Sequence, residues 1–351
     1  MYRQVLKFAW ETFPRDGTMR TPARFVFTPR TARDLCGAQA GMSAVWVTGA
    51  AGFIGSHLVR HLAAGGHSVA GIDLLSAESV GLDQAVAGWG AAGLSSHCLD
   101  AMRDKLGVPD VVYHLAGGSS VGASLANPAL DFAATVGGTA ILLEWLRTSA
   151  PETRLVVVSS AAVYGNIHRG AIGEDAATDP YSPYGAHKYA MEATVKGWSS
   201  SFGIPAVGVR LFSVYGPGLR KQLLWDLSNR LHQEDGPVEL GGSGEELRDW
   251  THVGDVVRAI DVASGLAQAG MPIINAGTTE GSNVREISHG LVRALGGDPA
   301  RIHFSGKARP GDPYSLVAAP GQLAELGFEW RIGVEEGLQS YADWYRTAAQ
   351  K

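Results

Sequence analysis

The chain has 351 residues, of which 45% are apolar and 18% charged, so it can bury a sizeable core and is too apolar for disorder. One large α/β domain with a smaller lobe suits that length, and a formal net charge of −5 gives no reason to expect nucleic acid or an anionic membrane as partner. Cys36 and Cys98 form neither a CxxC pair nor a metal-ligand spacing, and no apolar stretch approaches the ~18 residues of a membrane span, so a soluble, cytoplasmic protein without a metal site is expected.

Residues 1–41 differ from the rest. They carry Arg3, Arg15, Arg20, Arg24, Arg30 and Arg33, are broken by Pro14, Pro22 and Pro29, and lack sustained periodicity. They have no apolar core of the signal-peptide kind, and Glu11, Asp16 and Asp34 argue against a transit peptide. The segment reads as a poorly ordered extension or surface arm, or as an over-extended start, with Met42 just before the first strand.

From Met42 onward strands and helices alternate, which implies a parallel sheet covered on both faces. An apolar run at 44–47 leads into Gly49, Gly52 and Gly55, and then into a helix with Ile54, Leu58 and Leu62 on one face. Strand, glycine turn and helix form the context of a dinucleotide fingerprint. Gly49 permits the sharp turn, Gly52 lets backbone approach a pyrophosphate, and Gly55 lets the helix sit close on the sheet. A second strand at 67–73 ends in Asp73, about 20 residues past the turn, where a carboxylate meets ribose hydroxyls. The following 74–80 contain no Arg or Lys for a 2′-phosphate, so NAD is favoured over NADP.

Cys98, Leu99 and Asp100 are read as the end of the third strand, with the carboxylate near the adenine. A buried strand at 111–116 leads into Gly117-Gly118-Ser119-Ser120, a turn of small residues able to pass close to the cofactor. Asn127 and Pro128 cap and open a helix to about Thr148. The strand at 154–160 ends in Ser159-Ser160, and the carboxyl ends of parallel strands are where such sheets hold ligands. Ser182 and Pro183 then cap a helix on which Tyr184 and Lys188, four apart, share one face. An ammonium beside a phenol favours phenolate, which makes Tyr184 a proton acceptor for an alcohol whose carbon gives up a hydride. Ser160 would hold the oxygen in line.

This combination resembles the extended short-chain dehydrogenase/reductase family of NAD-dependent nucleotide-sugar epimerases and dehydratases. The matching pieces are Thr48-Gly-Ala-Ala-Gly-Phe-Ile-Gly55, His114-Leu-Ala116, Ser159-Ser-Ala-Ala-Val-Tyr-Gly165 and Ser182-Pro-Tyr-Gly-Ala-His-Lys188. Arg210-Leu-Phe-Ser-Val-Tyr-Gly-Pro-Gly218, Arg248-Asp-Trp-Thr-His-Val-Gly-Asp255 and Arg309-Pro-Gly-Asp312 follow in family order. The resemblance implies a Rossmann-type doubly wound parallel sheet with a smaller C-terminal substrate-binding lobe. Residues 42–215, with about 250–276, would bind NAD, and 216–351 would mainly bind substrate.

The resemblance also implies roles. Tyr184 is the base, Lys188 holds the nicotinamide ribose, and Ser160 takes the catalytic Ser/Thr position. Phe53, Ile54, Leu115, Ala116 and Phe212 would join the glycines, Asp73, Leu99 and Asp100 around the cofactor. Arg248 and Arg309 fall where the family binds the diphosphate, Asp312 where a carboxylate meets the nucleoside ribose, and Ser120, Ser213, Arg220, Lys221 and Gln222 could line the same pocket. Ala161 and Ala162 stand where sugar 4,6-dehydratases carry an Asp-Glu pair, which disfavours dehydration, while Ser213 and Thr135 replace frequent asparagines. The implied activity is epimerisation of a UDP- or dTDP-sugar at C4 through a 4-keto intermediate. A reductase or dehydratase, or a non-catalytic NAD-binding regulator, are the rivals. A homodimer through helices at 128–148 and 182–202 is implied as well.

Beyond Gly216, helices are expected at 219–234, 253–268, 283–295 and 334–346, and strands at 273–275 and 301–305, with extended segments over 237–253. Trp225, Trp250 and Trp330 are read as core.

Overall fold

In the computed structural model, residues 42–307 and 313–348 are described; the extension 1–41, Arg309 and Asp312 lie outside them. Seven strands form a parallel sheet. Strand β1 (Ala44–Thr48) is followed by helix α1 (Phe53–Ala64), then β2 (Ser68–Asp73) and β3 (Gly88–Ala91). Helix α2 (Ser96–Leu106), β4 (Val111–His114), α3 (Val121–Ala126) and a long helix α4 (Pro128–Ser149) come next. Then follow β5 (Arg154–Ser160), α5 (Pro183–Phe202) and β6 (Ala206–Leu211). The spatial order is β3-β2-β1-β4-β5-β6 with a late strand, Ile273–Ala276, at the far edge. The order reverses between β1 and β4, and their carboxyl ends open a crevice there.

Both faces of the sheet are buried, and period-two alternation divides each strand between them. Val45 and Val47 point into a cluster with Leu58 and Leu62 of α1, while Trp46 joins Val112, Leu142, Leu146 and Met191 on the other side. Trp46 stacks on Trp145 at 5.4 Å between centroids.

The second half of the chain leaves the sheet and returns to it. Strand β7 (Ser213–Tyr215), α6 (Gln222–Gln233), β8 (Val238–Leu240) and β9 (Leu247–His252) precede α7 (Val253–Ala263) and β10 (Ile273–Ala276). After them come β11 (Gly281–Asn283), α8 (Val284–Ala294), β12 (Ile302–Phe304), β13 (Ser315–Leu316) and α9 (Val334–Ala348). Strand β9 pairs with β7, β11 and β13, and β8 pairs with β12. A third core of Leu224, Leu227, Ile287, Leu291, Leu338 and Tyr341 packs α6, α8 and α9 together. Asn283 and Glu286 close a capping box at the start of α8.

Three readings of the sequence need correction. The third strand is β3, and Cys98-Leu99-Asp100 lies in α2, capped by Ser95, whose Oγ accepts from Cys98 N–H at 3.2 Å. β3 is rich in glycine, which usually weakens a strand. Here the missing side chains make room: a Cβ at Gly90 would lie 2.9 Å from the Cys98 sulfur and one at Gly88 2.5 Å from Leu106, so α2 rests directly on the strand. The helix expected at 219–234 begins only at Gln222, because Leu219 is tied back to Gly216 in a turn. Finally, α4 holds an 18-residue window of mean hydropathy 1.3, 39% of it buried, so by length and composition alone one helix among the described residues is apolar enough to cross a membrane, a test that core helices of soluble proteins also pass.

Candidate active site

The crevice is floored by the glycine turn. Gly49 has φ +71°, and a Cβ there would lie 2.8 Å from the Ala116 nitrogen. A Cβ at Gly55 would overlap the Gly49 carbonyl oxygen. Gly52 opens α1, accepting Ser56 N–H at 2.9 Å, with Phe53 and Ile54 packed against the sheet core beside it. Asp73, at the carboxyl end of β2, reaches across: Oδ2 accepts from Ala51 N–H at 3.0 Å and Oδ1 from Leu75 N–H at 3.2 Å. A cradle that excludes side chains, a helix N-terminus and a carboxylate at the neighbouring strand end are features that fit NAD. Leu99 and Asp100 are not at that crevice. Leu99 is fully buried in the core, and the Asp100 carboxylate accepts Trp145 Nε1–H at 3.0 Å and pairs with Arg103.

Leu115 and Ala116 are held to β1 by a buried relay. Leu115 N–H donates to the Thr48 carbonyl and Ala116 N–H to Thr48 Oγ1 at 3.3 Å. Thr139 Oγ1 gives its proton to the Thr135 carbonyl, 2.6 Å away, and so accepts from His114 Nε2–H at 2.9 Å. His114 Nδ1 is then the acceptor of the Thr48 hydroxyl at 2.7 Å. Burial, and secondarily the charge of Lys188, holds this imidazole neutral with its pKa pushed down to about 3. The relay ends in a π-turn of α4 (Ala133–Gly137), where Thr135 Oγ1 accepts Gly118 N–H at 2.8 Å.

Ser160, Tyr184 and Lys188 converge at the end of β5. Ser182 Oγ caps α5 by accepting Gly185 N–H at 3.2 Å, and the buried Ser124 Oγ accepts Tyr184 N–H at 3.0 Å. A Cβ at Gly185 would lie 2.6 Å from the Ala162 carbonyl, so α5 sits directly against the turn after Ser160. Ser160 Oγ accepts Ala162 N–H at 3.1 Å and bonds to the Tyr184 phenol. Lys188 is buried, with Nζ donating to the Val158 carbonyl at 3.0 Å.

Burial pushes the Lys188 ammonium down to about 8, opposed by the charges of Asp131 and Glu192. For Tyr184 the outcome differs from the sequence expectation of a depressed phenol. Burial raises it above 10, the Ser160 hydrogen bond pulls it back, and Asp131 adds to the rise. Desolvation outweighs the Ser160 hydrogen bond, so the phenol is raised and not depressed.

On the substrate side the predicted residues are more scattered. Ser120 caps α3, its Oγ accepting Ala123 N–H at 3.3 Å. Ser213 lies opposite Trp250 across the β7–β9 pair, and Phe212 packs beside Tyr164. Arg248, on β9, donates to the Leu247 carbonyl at 2.7 Å. The Arg220 guanidinium is held over Trp225 and Trp344, 5.6 Å from each ring centroid. Lys221 Nζ donates to the Ser119 carbonyl at 2.8 Å, spanning from the end of this loop to the cofactor side, and Gln222 carries a left-handed φ of 64°. His57 of α1 clasps the same loop through the Pro217 carbonyl at 2.8 Å.

A profile described as the NAD dependent epimerase/dehydratase family matches residues 45–277. The chain belongs to that family. The UDP-glucose 4-epimerase of Mycolicibacterium smegmatis is 30% identical over 325 residues, 87% of this chain and 99% of that protein. The solved structure of MoeE5 in complex with UDP-glucuronic acid and NAD is 33% identical, with a TM-score of 0.75 over 87% of this chain and 99% of that one. The Thermus thermophilus UDP-glucose 4-epimerase in complex with NAD gives a TM-score of 0.78 at 30% identity, with the same coverage. The seven-stranded parallel sheet is the Rossmann-type sheet of these neighbours.

Three residues at this family site escaped sequence reasoning. Ser124, which seats the Tyr184 backbone, looked like one more small helical residue. Asp131 and His187 meet across 56 residues of chain, Oδ2 to Nδ1 at 2.6 Å. A carboxylate in the apolar first half of α4 was the available signal for Asp131.

Proposed function

We propose that this protein epimerises a nucleotide-diphosphate sugar at C4, with UDP- or dTDP-sugars as substrates and NAD retained through the cycle. The observation that carries the reading is the Ser160–Tyr184–Lys188 cluster with alanines at 161 and 162. The triad can move a hydroxyl proton, while the turn after Ser160 offers no carboxyl group to eliminate water. That favours epimerase over dehydratase within the family.

In this mechanism residues 42–215, with about 250–276, hold the cofactor, and 216–351 hold most of the sugar nucleotide. Gly49, Gly52 and Gly55 leave room for the pyrophosphate, Asp73 takes the adenosine ribose hydroxyls, and Lys188 takes the nicotinamide ribose. NAD when bound supplies the acceptor, and later the donor, of the C4 hydride. Ser160 orients the C4 hydroxyl and Tyr184 Oη removes its proton, leaving a 4-keto sugar. Rotation of that sugar about its diphosphate presents the other face, and Tyr184 returns the proton to the new hydroxyl. Lys188, by its charge, would stabilise the Tyr184 phenolate that takes the hydroxyl proton and that is left again once the proton is returned. Arg248, Arg309 and Asp312 serve the nucleotide diphosphate.

The enzyme is read as a homodimer. Leu130 and Phe132 at the start of α4 are 64% and 47% exposed, and Leu125 of α3 and Tyr189 of α5 are exposed on neighbouring helices. A surface of that kind is covered in an assembly of helices.

The test is incubation with UDP-glucose, UDP-glucuronic acid and dTDP-glucose, first without added cofactor and then with NAD or NADH, read by mass spectrometry and NMR. A product of unchanged mass with inverted C4 is expected. Loss of water, or turnover only with NADH, would replace the epimerase with a dehydratase or reductase.

A further inference from the structure

The segment between β7 and α6 rests on two other elements along most of its length. His57 of α1 donates Nε2–H to the Pro217 carbonyl at 2.8 Å, and the Gly218 backbone lies against the same helix. A Cβ at Gly218 would sit 3.6 Å from the Phe53 ring and 3.7 Å from His57 Nε2. The Leu219 carbonyl accepts the Tyr341 hydroxyl of α9 at 3.1 Å, and the Arg220 guanidinium lies over Trp225 and Trp344. From this base Lys221 reaches out to Ser119, whose carbonyl accepts Nζ–H at 2.8 Å.

The receiving loop is fixed as well. Thr135 Oγ1 of α4 accepts Gly118 N–H at 2.8 Å, and Ser120 Oγ accepts Ala123 N–H at 3.3 Å, so the Ser119 carbonyl is presented between two pinned neighbours. Helices α1 and α4 lie on opposite faces of the sheet, one packed with Val45 and Val47 and the other with Trp46. A side chain that joins a segment resting on α1 to a loop tied to α4 passes over the strand ends. The ends beneath it are those of β1 and β4, where the glycine turn floors the crevice.

We propose that Lys221 is the latch of this crevice: its bond to Ser119 joins the two walls above the cofactor, and NAD enters and leaves only while that bond is broken. The inference rests on the reading of NAD as a cofactor retained through the cycle, and names what retains it. Gln222, the next residue, is held at a left-handed φ of 64°, which a side chain other than glycine resists, so release of Lys221 lets backbone strain relax. The bond itself is one that water can replace, so the latch slows exchange without sealing the site.

The experiment follows NADH on the full chain freed of cofactor. Entry is read by energy transfer from tryptophan on rapid mixing, and exit by displacement with excess NAD. A latch that opens alike on the empty and the loaded crevice sets both rates by the fraction of time it is open, and leaves the affinity unchanged. Lys221→Met keeps the length and loses the donor, and should speed entry and exit by the same factor, roughly three- to tenfold. Lys221→Arg keeps a donor and should bring both rates back toward the parent. Exit that speeds up alone, with weakened affinity, would make Lys221 a cofactor contact. Unmoved rates with a raised KM for the sugar nucleotide would make it a diphosphate ligand. Either result, or unmoved rates alone, overturns the latch. Should Lys221→Met fail to fold, His57→Phe, which frees the Pro217 carbonyl and keeps a ring beside Phe53, should speed both rates in the same way. No sugar nucleotide enters the rate measurement, so it and the product assay fail independently.

Discussion

Gly55 sits against the carbonyl oxygen of Gly49 with no space for a Cβ between them. This contact draws the N-terminus of α1 onto the end of β1, and in the proposed function it aims the helix at the pyrophosphate. Gly55→Ala should therefore cost about 1–3 kcal/mol of stability as the helix is pushed off the turn, and should weaken NAD binding further. Denaturant unfolding and calorimetric NAD titration would measure the two separately. Unchanged NAD affinity would show that the helix is not the anchor.

Tyr184→Phe removes the proposed proton acceptor and leaves the backbone of residue 184 held, because Ser124 accepts its N–H. Turnover should fall by roughly 10²–10⁴-fold, with the fold and NAD binding intact. Retention of activity in a steady-state assay would move the base elsewhere.

Lys188 is lowered by burial from 10.5 to about 8. A cation whose pKa falls on folding is held more weakly in the native chain, so the unfolded chain binds more protons between about 8 and 10.5. The sign follows: this residue costs stability below about 8, and the cost is relieved as pH rises through that window. Relative to Lys188→Met, the parent should gain up to roughly 3 kcal/mol between neutral pH and about pH 10, measured by urea unfolding of both. Turnover should fall over the same range as the ammonium is lost.

Leu130→Glu places a charge on the exposed face at the start of α4. If that face pairs two copies, sedimentation velocity should show a dimer for the parent and a shift toward monomer for the variant, without loss of helical circular dichroism. A parent that sediments as a monomer would end the dimer reading.

The strand ends of the candidate site were legible because their signals are local. Three glycines at spacing three, an acidic strand end, Ser160 at the end of a valine run and a Tyr–Lys pair one helical turn apart each sit within a few residues. The third strand was hidden because its stability comes from α2 resting on glycines, a gain that a strand pattern does not display. Asp131 and His187 were hidden for a related reason: neither carries meaning until α4 and α5 pack. Arg220 shows a contact of the same kind. Its guanidinium lies over two tryptophans, one of them on the last helix, and that contact exists only in three dimensions.

The strand that closes the sheet is also its last to be made. β10 pairs in parallel with β6, from Ile273 beside Gly208 to Ala276 beside Leu211, after a long excursion through α6, β9 and α7. During synthesis, β6 waits with one edge bare while that excursion is built. All six of its residues are buried in the finished protein, and all but Arg210 are apolar or glycine, so the waiting edge is largely apolar as well as unpaired. Until residues 273–276 are made, that edge offers unpaired backbone groups to any strand that reaches it, a strand of another copy included, so the late pairing of β10 is what withdraws the sheet from such contacts.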